Sequence, residues 1–134
     1  MKNLQGKTII LTGASGGIGE QAAIQLAELG AKICLIARRK DELERVQQVI
    51  QQQGGQVWIY PVDITQEDHA KNCIEQILSE HAKVDVLINN AARSIRRPII
   101  QALDRLHDFE RTMQINYFAA VRLTLALLPH FLEK

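Results

Sequence analysis

A glycine-rich turn between a strand pattern and a helix pattern is the feature that most constrains the fold of this 134-residue chain. Residues 7–12 are rich in β-branched and aliphatic side chains, and helical periodicity begins near residue 17. Glycines at such a junction let the backbone approach a pyrophosphate, to which the helix N-terminus offers unpaired N–H groups. A plain glycine-rich turn is the alternative, which the flanking patterns disfavour. The predicted cofactor-binding residues here are Gly13, Ala14, Ser15, Gly16, Gly17, Ile18 and Gly19.

The spacing of these glycines fits two patterns. Gly13, Gly16 and Gly19 satisfy Gly-x-x-Gly-x-x-Gly. Gly-x-x-x-Gly-x-Gly is satisfied as well, with Gly17 in the place of Gly16. The sequence leaves both patterns open.

Four short apolar runs alternate with longer segments of helical periodicity, which is a βαβαβαβ pattern. Continuous apolar runs are typical of strands buried on both faces of a parallel sheet. We therefore predict an α/β fold in one domain over residues 1–134: a Rossmann-type doubly wound parallel sheet, truncated after the fourth strand and the following long helix. The predicted strands are residues 7–12, 32–37, 57–62 and 84–89.

Short polar residues at the predicted helix starts indicate N-caps. Asp41 with Glu44 predicts the start of the second helix, and Thr65 with Asp68 predicts the start of the third. The first helix is expected over residues 17–29.

Composition limits the function classes open to the chain. With 46% hydrophobic residues, 23% charged residues and a formal net charge of +1, it resembles an ordinary globular domain. Such a balance lacks the clustered basic face that nucleic-acid binding needs, so we expect no nucleic-acid partner.

Residues 1–7 have no apolar signal-peptide core, and polar residues and proline interrupt residues 123–132, so we expect a cytoplasmic protein without a transmembrane segment. Cys34 and Cys73 are expected to be buried reduced thiols, and the dispersed histidines indicate no metal site.

The end of the second predicted strand bears on which dinucleotide fits. An acidic residue there accepts hydrogen bonds from the adenosine ribose of NAD. This chain has Arg38 and Arg39 there instead. Two guanidinium groups without a carboxylate favour the 2′-phosphate of NADP(H) through charge-assisted hydrogen bonds. A solvated basic turn is the alternative.

Apolar side chains occur nearly all round the predicted last helix, from residue 109 to residue 132. Such a helix is expected to be buried on two sides. One side of the helix can pack on the sheet. We expect the other side to form a subunit interface or to contact a part of the fold beyond this sequence. We therefore expect a homo-oligomer through the last helix.

Four motifs resemble the short-chain dehydrogenase/reductase family, over residues 4–132. They are the Thr-Gly-x-x-x-Gly-Ile-Gly turn, Val62-Asp63-Ile64, Asn89-Asn90-Ala91, and Asn116 in the long helix. The resemblance implies that Asp63 contacts the adenine edge and that Ile64 lines the adenine pocket. It places Asn90, with Ala91 beside it, near the ribose. Ala92 stands where the family usually has glycine.

Residues 93–98 and 104–118 look more specifically like the bacterial long-chain fatty acyl-CoA reductases, which use NADPH to make fatty aldehydes. The resemblance implies an NADP(H)-dependent oxidoreductase acting on long-chain fatty acyl-CoA or aldehyde. The basic loop at residues 93–97 suits the phosphates of coenzyme A. A solvated surface is the interpretation we favour for Arg96 and Arg97 individually.

The family's proton-transfer residues are incomplete in this sequence. In the family, a tyrosine with a lysine four residues later exchanges the proton, a serine orients the carbonyl, and a helical asparagine holds a relay water. Only the asparagine has a match, the candidate catalytic residue Asn116, and an asparagine inside a helix can instead satisfy local backbone. Tyr60 and Tyr117 are followed four residues later by Ile64 and Val121, so we expect both tyrosines to be packing residues.

Two hypotheses follow. In the first, the chain is the NADP(H)-binding part of a reductase, inactive alone because its catalytic part is absent. In the second, it is a non-catalytic truncated protein that binds nucleotide or pairs with another reductase. A flavodoxin-like or receiver domain is disfavoured by the glycine turn and the paired asparagines.

Overall fold

The computed structural model describes residues 3–13, 16–92 and 97–133. Strands and helices alternate along the chain as the apolar runs predict. The strands are β1 (Thr8–Thr12), β2 (Lys32–Ala37), β3 (Gln56–Pro61) and β4 (Val86–Ile88). The helices are α1 (Gly17–Glu28), α2 (Lys40–Gln52), α3 (Glu67–Glu80), α4 (Leu106–Met113) and α5 (Ala119–Glu133), with a 3-10 turn at Ile99–Gln101 and a π turn at Gln114–Phe118.

All strand pairs are parallel, and the sheet order is β3-β2-β1-β4. Because side chains alternate along a strand, β1 contributes to a core on each face. Ile9 and Leu11 pack with α1 and α2, whereas Ile10 packs with α3 and α5. Cys34 and Cys73 are buried free thiols in the second of these cores. The predicted Rossmann-type arrangement, with helices on both faces of a parallel sheet, is confirmed.

β4 is an edge strand and is shorter than predicted. It covers Val86–Ile88 rather than residues 84–89. At its start, the Val84 amide donates to His130 Nε2 at 3.0 Å. At its end, the Asn90 amide donates to a side chain of β1. Side-chain atoms therefore accept the hydrogen bonds of Val84 and Asn90, on either side of β4.

The predicted N-cap pairs are wrong. Helix α2 begins at Lys40, so Asp41 lies inside its first turn, and neither α2 nor α3 has a side-chain cap hydrogen bond. Thr65 Oγ1 donates instead to Asp63 Oδ1 at 2.6 Å, two residues before the start of α3. The acidic residues in these first turns still interact favourably with the positive N-terminal end of each helix dipole.

The last helical run, which comprises α4, the π turn and α5, is buried on one side. The expectation that it would be buried on two sides is wrong. Ala119, Leu123 and Leu127 enter the core at a spacing of four residues, so they lie on one face. Tyr117, expected to be a packing residue, is 55% exposed and forms a T-shaped contact with the Phe118 ring. The remaining exposed apolar side chains of the run are Leu106, Phe109, Met113, Phe118, Val121, Leu125, Leu128 and Leu132.

By length and composition alone, the run Leu106–Glu133 could also cross a membrane. An 18-residue window within it has a mean hydropathy of 1.3, and the core helices of soluble proteins meet the same criterion. The absence of a transmembrane segment therefore stays a prediction.

His81, which follows α3, is a buried titratable residue with polar neighbours. It is 8% exposed, and its Nε2 lies 3.5 Å from Cys34 Sγ and 3.3 Å from the Tyr60 hydroxyl. Tyr60 also donates to Glu80 at 2.6 Å, and the Trp58 ring meets the imidazole edge-on. Burial lowers the pKa of His81 and raises the pKa of Cys34 to about 12. The folded protein therefore favours neutral His81.

Acidification is expected to destabilise the protein through His81. Its folded-state pKa lies below the ordinary value of 6.5, so the unfolded chain takes up this proton first as the pH falls. The stabilisation is complete above pH 6.5 and is lost between that pH and the folded-state pKa. We expect the free energy of unfolding of wild type to fall when the pH is lowered from about 8 to about 5.5, and that of His81→Gln to fall by less. Urea denaturation at both pH values measures the two decreases.

His69→Gln, at an exposed histidine of α3, is the matched control for the substitution itself. If wild type and His81→Gln had the same pH dependence of stability, His81 would not be the source of the acid destabilisation.

Candidate functional site

The carboxyl ends of the four strands open into one cleft with a volume of about 1380 Å³. Because β2 lies on one side of β1 and β4 on the other, the cleft sits where the strand order reverses. Ligands of open α/β sheets bind at such points. The wall opposite the strand ends comes from α4 and the π turn, through residues such as His107 and Gln114. The predicted site residues that line the cleft are Gly13, Gly16, Ile18, Gly19, Arg38, Arg39, Asp63, Ile64, Asn90 and Ala91.

The glycine turn needs its glycines at three positions. Gly13 and Gly17 have positive φ angles of 68° and 58°. A Cβ on Gly13 would lie 2.7 Å from Ala91 Cα, and one on Gly19 would overlap the Gly13 carbonyl oxygen. Gly16 has extended backbone with open space around it. The Gly-x-x-x-Gly-x-Gly pattern thus carries the steric requirement, while Ala14 and Ser15 lie outside the described residues.

Helix α1 points its N-terminus at this cleft. Gly16 is the N-cap and forms no side-chain cap hydrogen bond in the described part of the chain. The first N–H groups of a helix have no partner within the helix, and together with the helix dipole they attract anions. Gly16 and Ile18 line the cleft, so this end of α1 can meet a phosphate there.

A threonine hydroxyl fixes the loop after β4 to the end of β1. The buried Thr12 Oγ1 accepts hydrogen bonds from the amides of Asn90 at 3.0 Å and Ala91 at 2.9 Å. Asn90 Nδ2 then donates to the Gly13 carbonyl at 3.1 Å. The resemblance implied a ribose-side position for Asn90, and the structure adds a bond that supports the glycine turn. The role of Thr12 is missing from the sequence prediction because its partners are 78 and 79 residues away.

The two arginines after β2 differ in their surroundings. Arg39 Nη2 lies 3.2 Å from Asp41 Oδ2, and both side chains are exposed, so this pair contributes little to stability. Arg38 is exposed and has no ion pair within residues 3–13, 16–92 and 97–133. Both arginines line the cleft, and Arg38 is the better placed to accept an anionic group.

The loop after β3 is ordered by its own side chains. Asp63 Oδ1 accepts hydrogen bonds from the Thr65 amide at 3.0 Å and from the Thr65 hydroxyl. Ile64 is buried in the core while it also lines the cleft. Both residues line the cleft, and the sequence prediction missed the contribution of Thr65.

Asn116 lies in the π turn, outside the residues that line the cleft. Its neighbours Gln114 and Ile115 line the cleft instead. A π turn inside a helix is frequent at functional sites, and this one shifts the register where α4 meets α5. Tyr60 is buried outside the cleft, where burial and its bond to Glu80 raise its pKa.

An open cleft at the switch point of a doubly wound parallel sheet, beside a glycine turn and a helix N-terminus, defines a Rossmann-type α/β domain. A family model described as short chain dehydrogenase matches residues 7–134. The chain belongs to the short-chain dehydrogenase/reductase family, which binds nicotinamide cofactors. The resemblance seen in the sequence is confirmed.

Individual comparisons give the same family. A fatty acyl-CoA reductase of Acinetobacter baylyi is 50% identical over 133 residues, which is 99% of this chain and 45% of that protein. A metagenomic short-chain oxidoreductase in complex with NADP matches with a TM-score of 0.90 and 28% identity, over 96% of this chain and 58% of that one. NAD⁺-bound xylitol dehydrogenase matches with a TM-score of 0.91 and 28% identity, over 98% of this chain and 50% of that one. The chain thus spans about half the length of the proteins it matches.

Thr12→Val keeps the shape of the side chain and removes its hydroxyl. The amides of Asn90 and Ala91 then lose their acceptor, so we expect the free energy of unfolding to fall by about 2 kcal/mol. Urea denaturation measures the loss, and hydrogen exchange at both amides should become faster.

Thr12→Ser retains the hydroxyl and is the matched control. If Thr12→Val were as stable as Thr12→Ser, the hydroxyl would not hold the loop.

Proposed function

We propose that this chain is the NADP(H)-binding part of a cytoplasmic oxidoreductase that reduces long-chain fatty acyl-CoA or the corresponding aldehyde. The observation that carries the cofactor part is Arg38 on the wall of the switch-point cleft, next to Arg39 and without an ion-pair partner among the described residues. Membership of the family supports a nicotinamide cofactor, and the two arginines support NADP(H) rather than NAD(H).

The residues of the cleft fit a dinucleotide. Gly13 and Gly19 leave the turn without side chains that would fill it, and the N-terminus of α1 suits the pyrophosphate. We propose that the adenosine lies between Arg38 and the Asp63–Ile64 loop. In this arrangement the nicotinamide points towards Asn90 and Ala91.

The 2′-phosphate is the group that separates the two dinucleotides. It carries negative charge beside the adenosine ribose, where NAD has a hydroxyl. A guanidinium group binds a phosphate through short charge-assisted hydrogen bonds, and Arg38 is exposed at the proposed adenosine end of the cleft. A carboxylate at this position would repel the phosphate, and the sequence has none from Ala37 to Lys40.

The substrate proposal comes from the relative that is 50% identical over 99% of this chain, a fatty acyl-CoA reductase. In the proposed reaction, acyl-CoA, NADPH and a proton give a fatty aldehyde, coenzyme A and NADP⁺. NADPH supplies the hydride when bound. The proton needs a donor in the transition state. Tyr60 is buried outside the cleft, so we propose that the donor belongs to the part of the whole protein that this chain does not cover.

The exposed apolar face of α4, the π turn and α5 supports the proposal that the protein is a homo-oligomer through its last helix. Its members include Phe109, Met113 and Leu125, which are 50%, 49% and 62% exposed. Contiguous apolar surface of this kind marks an interaction site. Light scattering of the intact protein should give more than one subunit, and a monodisperse monomer at high concentration would refute this proposal.

Arg38→Ala should weaken NADPH binding by about tenfold or more while changing NADH binding little, because only NADPH carries the 2′-phosphate. Dissociation constants from titration calorimetry of the intact protein measure both ligands.

Arg45→Ala is the control, since it removes an exposed guanidinium that pairs with Glu20 and Glu42 outside the cleft. It should leave both affinities unchanged. Equal losses for NADPH and NADH in Arg38→Ala would reject the 2′-phosphate role.

A further inference from the structure

Arg122, near the start of α5, connects two walls of the cleft. Its Nη1 donates to the Thr65 carbonyl oxygen at 3.2 Å and to Gln114 Oε1 at 3.3 Å. Thr65 belongs to the loop between β3 and α3, whereas Gln114 opens the π turn. All three residues line the cleft. One guanidinium thus holds together elements that the sequence places 57 residues apart.

The connection extends to the proposed adenosine site. Thr65 is held on its other side by Asp63 Oδ1, which accepts from both its amide and its hydroxyl. A continuous path of hydrogen bonds therefore runs from Asp63 through Thr65 and Arg122 to Gln114. The Arg122 guanidinium carbon also lies 6.0 Å from the centre of the Phe118 ring, at the outer range of a cation–π contact. Because Arg122 is half-buried, water competes less well for these donors than at an open surface.

We propose that Arg122 is a positioning residue for the adenosine half of the dinucleotide. It holds the β3–α3 loop against the π turn, so that Asp63 and Ile64 are in place before the ligand arrives. A preordered loop raises affinity because binding then orders fewer groups. This inference rests on the proposed function, since it assigns the adenosine to that end of the cleft.

The chemistry of the contact calls for arginine. One nitrogen carries two N–H donors in a fixed plane, which suits two acceptors on different elements. Lysine has a rotatable point charge on a shorter chain and would keep one of these contacts at best. The contribution of Arg122 should be the same for NADPH and NADH, because both ligands share the adenosine.

Arg122→Met removes the donors and keeps an unbranched side chain. In the intact protein, titration calorimetry should show dissociation constants for NADPH, NADH and AMP that all rise by about tenfold, with the NADPH to NADH ratio unchanged. Arg38→Ala should change that ratio instead. Arg122→Lys should recover part of the affinity, and Arg45→Met, which removes a guanidinium outside the cleft, should resemble wild type.

Gln114→Ala provides a second route that leaves Arg122 and the helix backbone in place. It removes one acceptor and should weaken all three ligands by a smaller factor. In Arg122→Met, adding Gln114→Ala should cost less than it does alone, because the shared bond is already lost. A purely structural role would lower thermal stability without this non-additive effect on affinity.

The outcomes separate the two proposals. If the wild-type protein binds neither dinucleotide, the proposed function fails and this inference with it. If wild type binds both, the inference is overturned by folded Arg122→Met with wild-type affinities, or by a loss confined to NADPH. If Arg122→Met does not fold, unchanged affinities in Gln114→Ala overturn the inference.

Discussion

The close approach of the β1 turn to the loop after β4 is the constraint on which the site depends. Gly13 meets the backbone of Ala91 at a distance that excludes a Cβ, and its positive φ excludes most other residues. Thr12 holds the same two segments together through its hydroxyl. The N-terminus of α1 is aimed at the cleft because the chain leaves β1 through this turn. A change here would move both the pyrophosphate position and the loop proposed to meet the nicotinamide.

Charge is distributed around the cleft in a way that matches its proposed ligand. The positive end of α1 and the Arg38 side chain lie on the walls of the cleft, although the whole chain has a net charge of only +1. A modest overall charge with local positive groups favours one anionic ligand over long polyanions. Arg122 adds a half-buried cation that already donates to protein acceptors, so it orders the wall of the cleft rather than attracting the ligand.

The parts of the fold that follow from local pattern could be predicted from the sequence. Apolar runs located the four strands, and β2 has the predicted bounds because its side chains are buried on both faces. The predicted N-cap at Thr65 failed because Thr65 has a nearer partner in Asp63, a competition that residue type alone does not reveal. Thr12 with Asn90, and Arg122 with Thr65, are contacts between distant segments with no local signal. Composition likewise showed that the last helix is apolar but not that only one side of it is covered.

Hydride transfer by the intact protein is the direct test of the proposed reductase function. NADPH carrying deuterium at the transferred position would be incubated with a long-chain fatty acyl-CoA, and the products analysed by mass spectrometry. We expect a fatty aldehyde, or the alcohol formed from it, that carries the deuterium, with much slower transfer from NADH. A protein that binds NADPH but transfers no deuterium to acyl-CoA or aldehyde would exclude the proposed reductase function and favour a non-catalytic nucleotide-binding role.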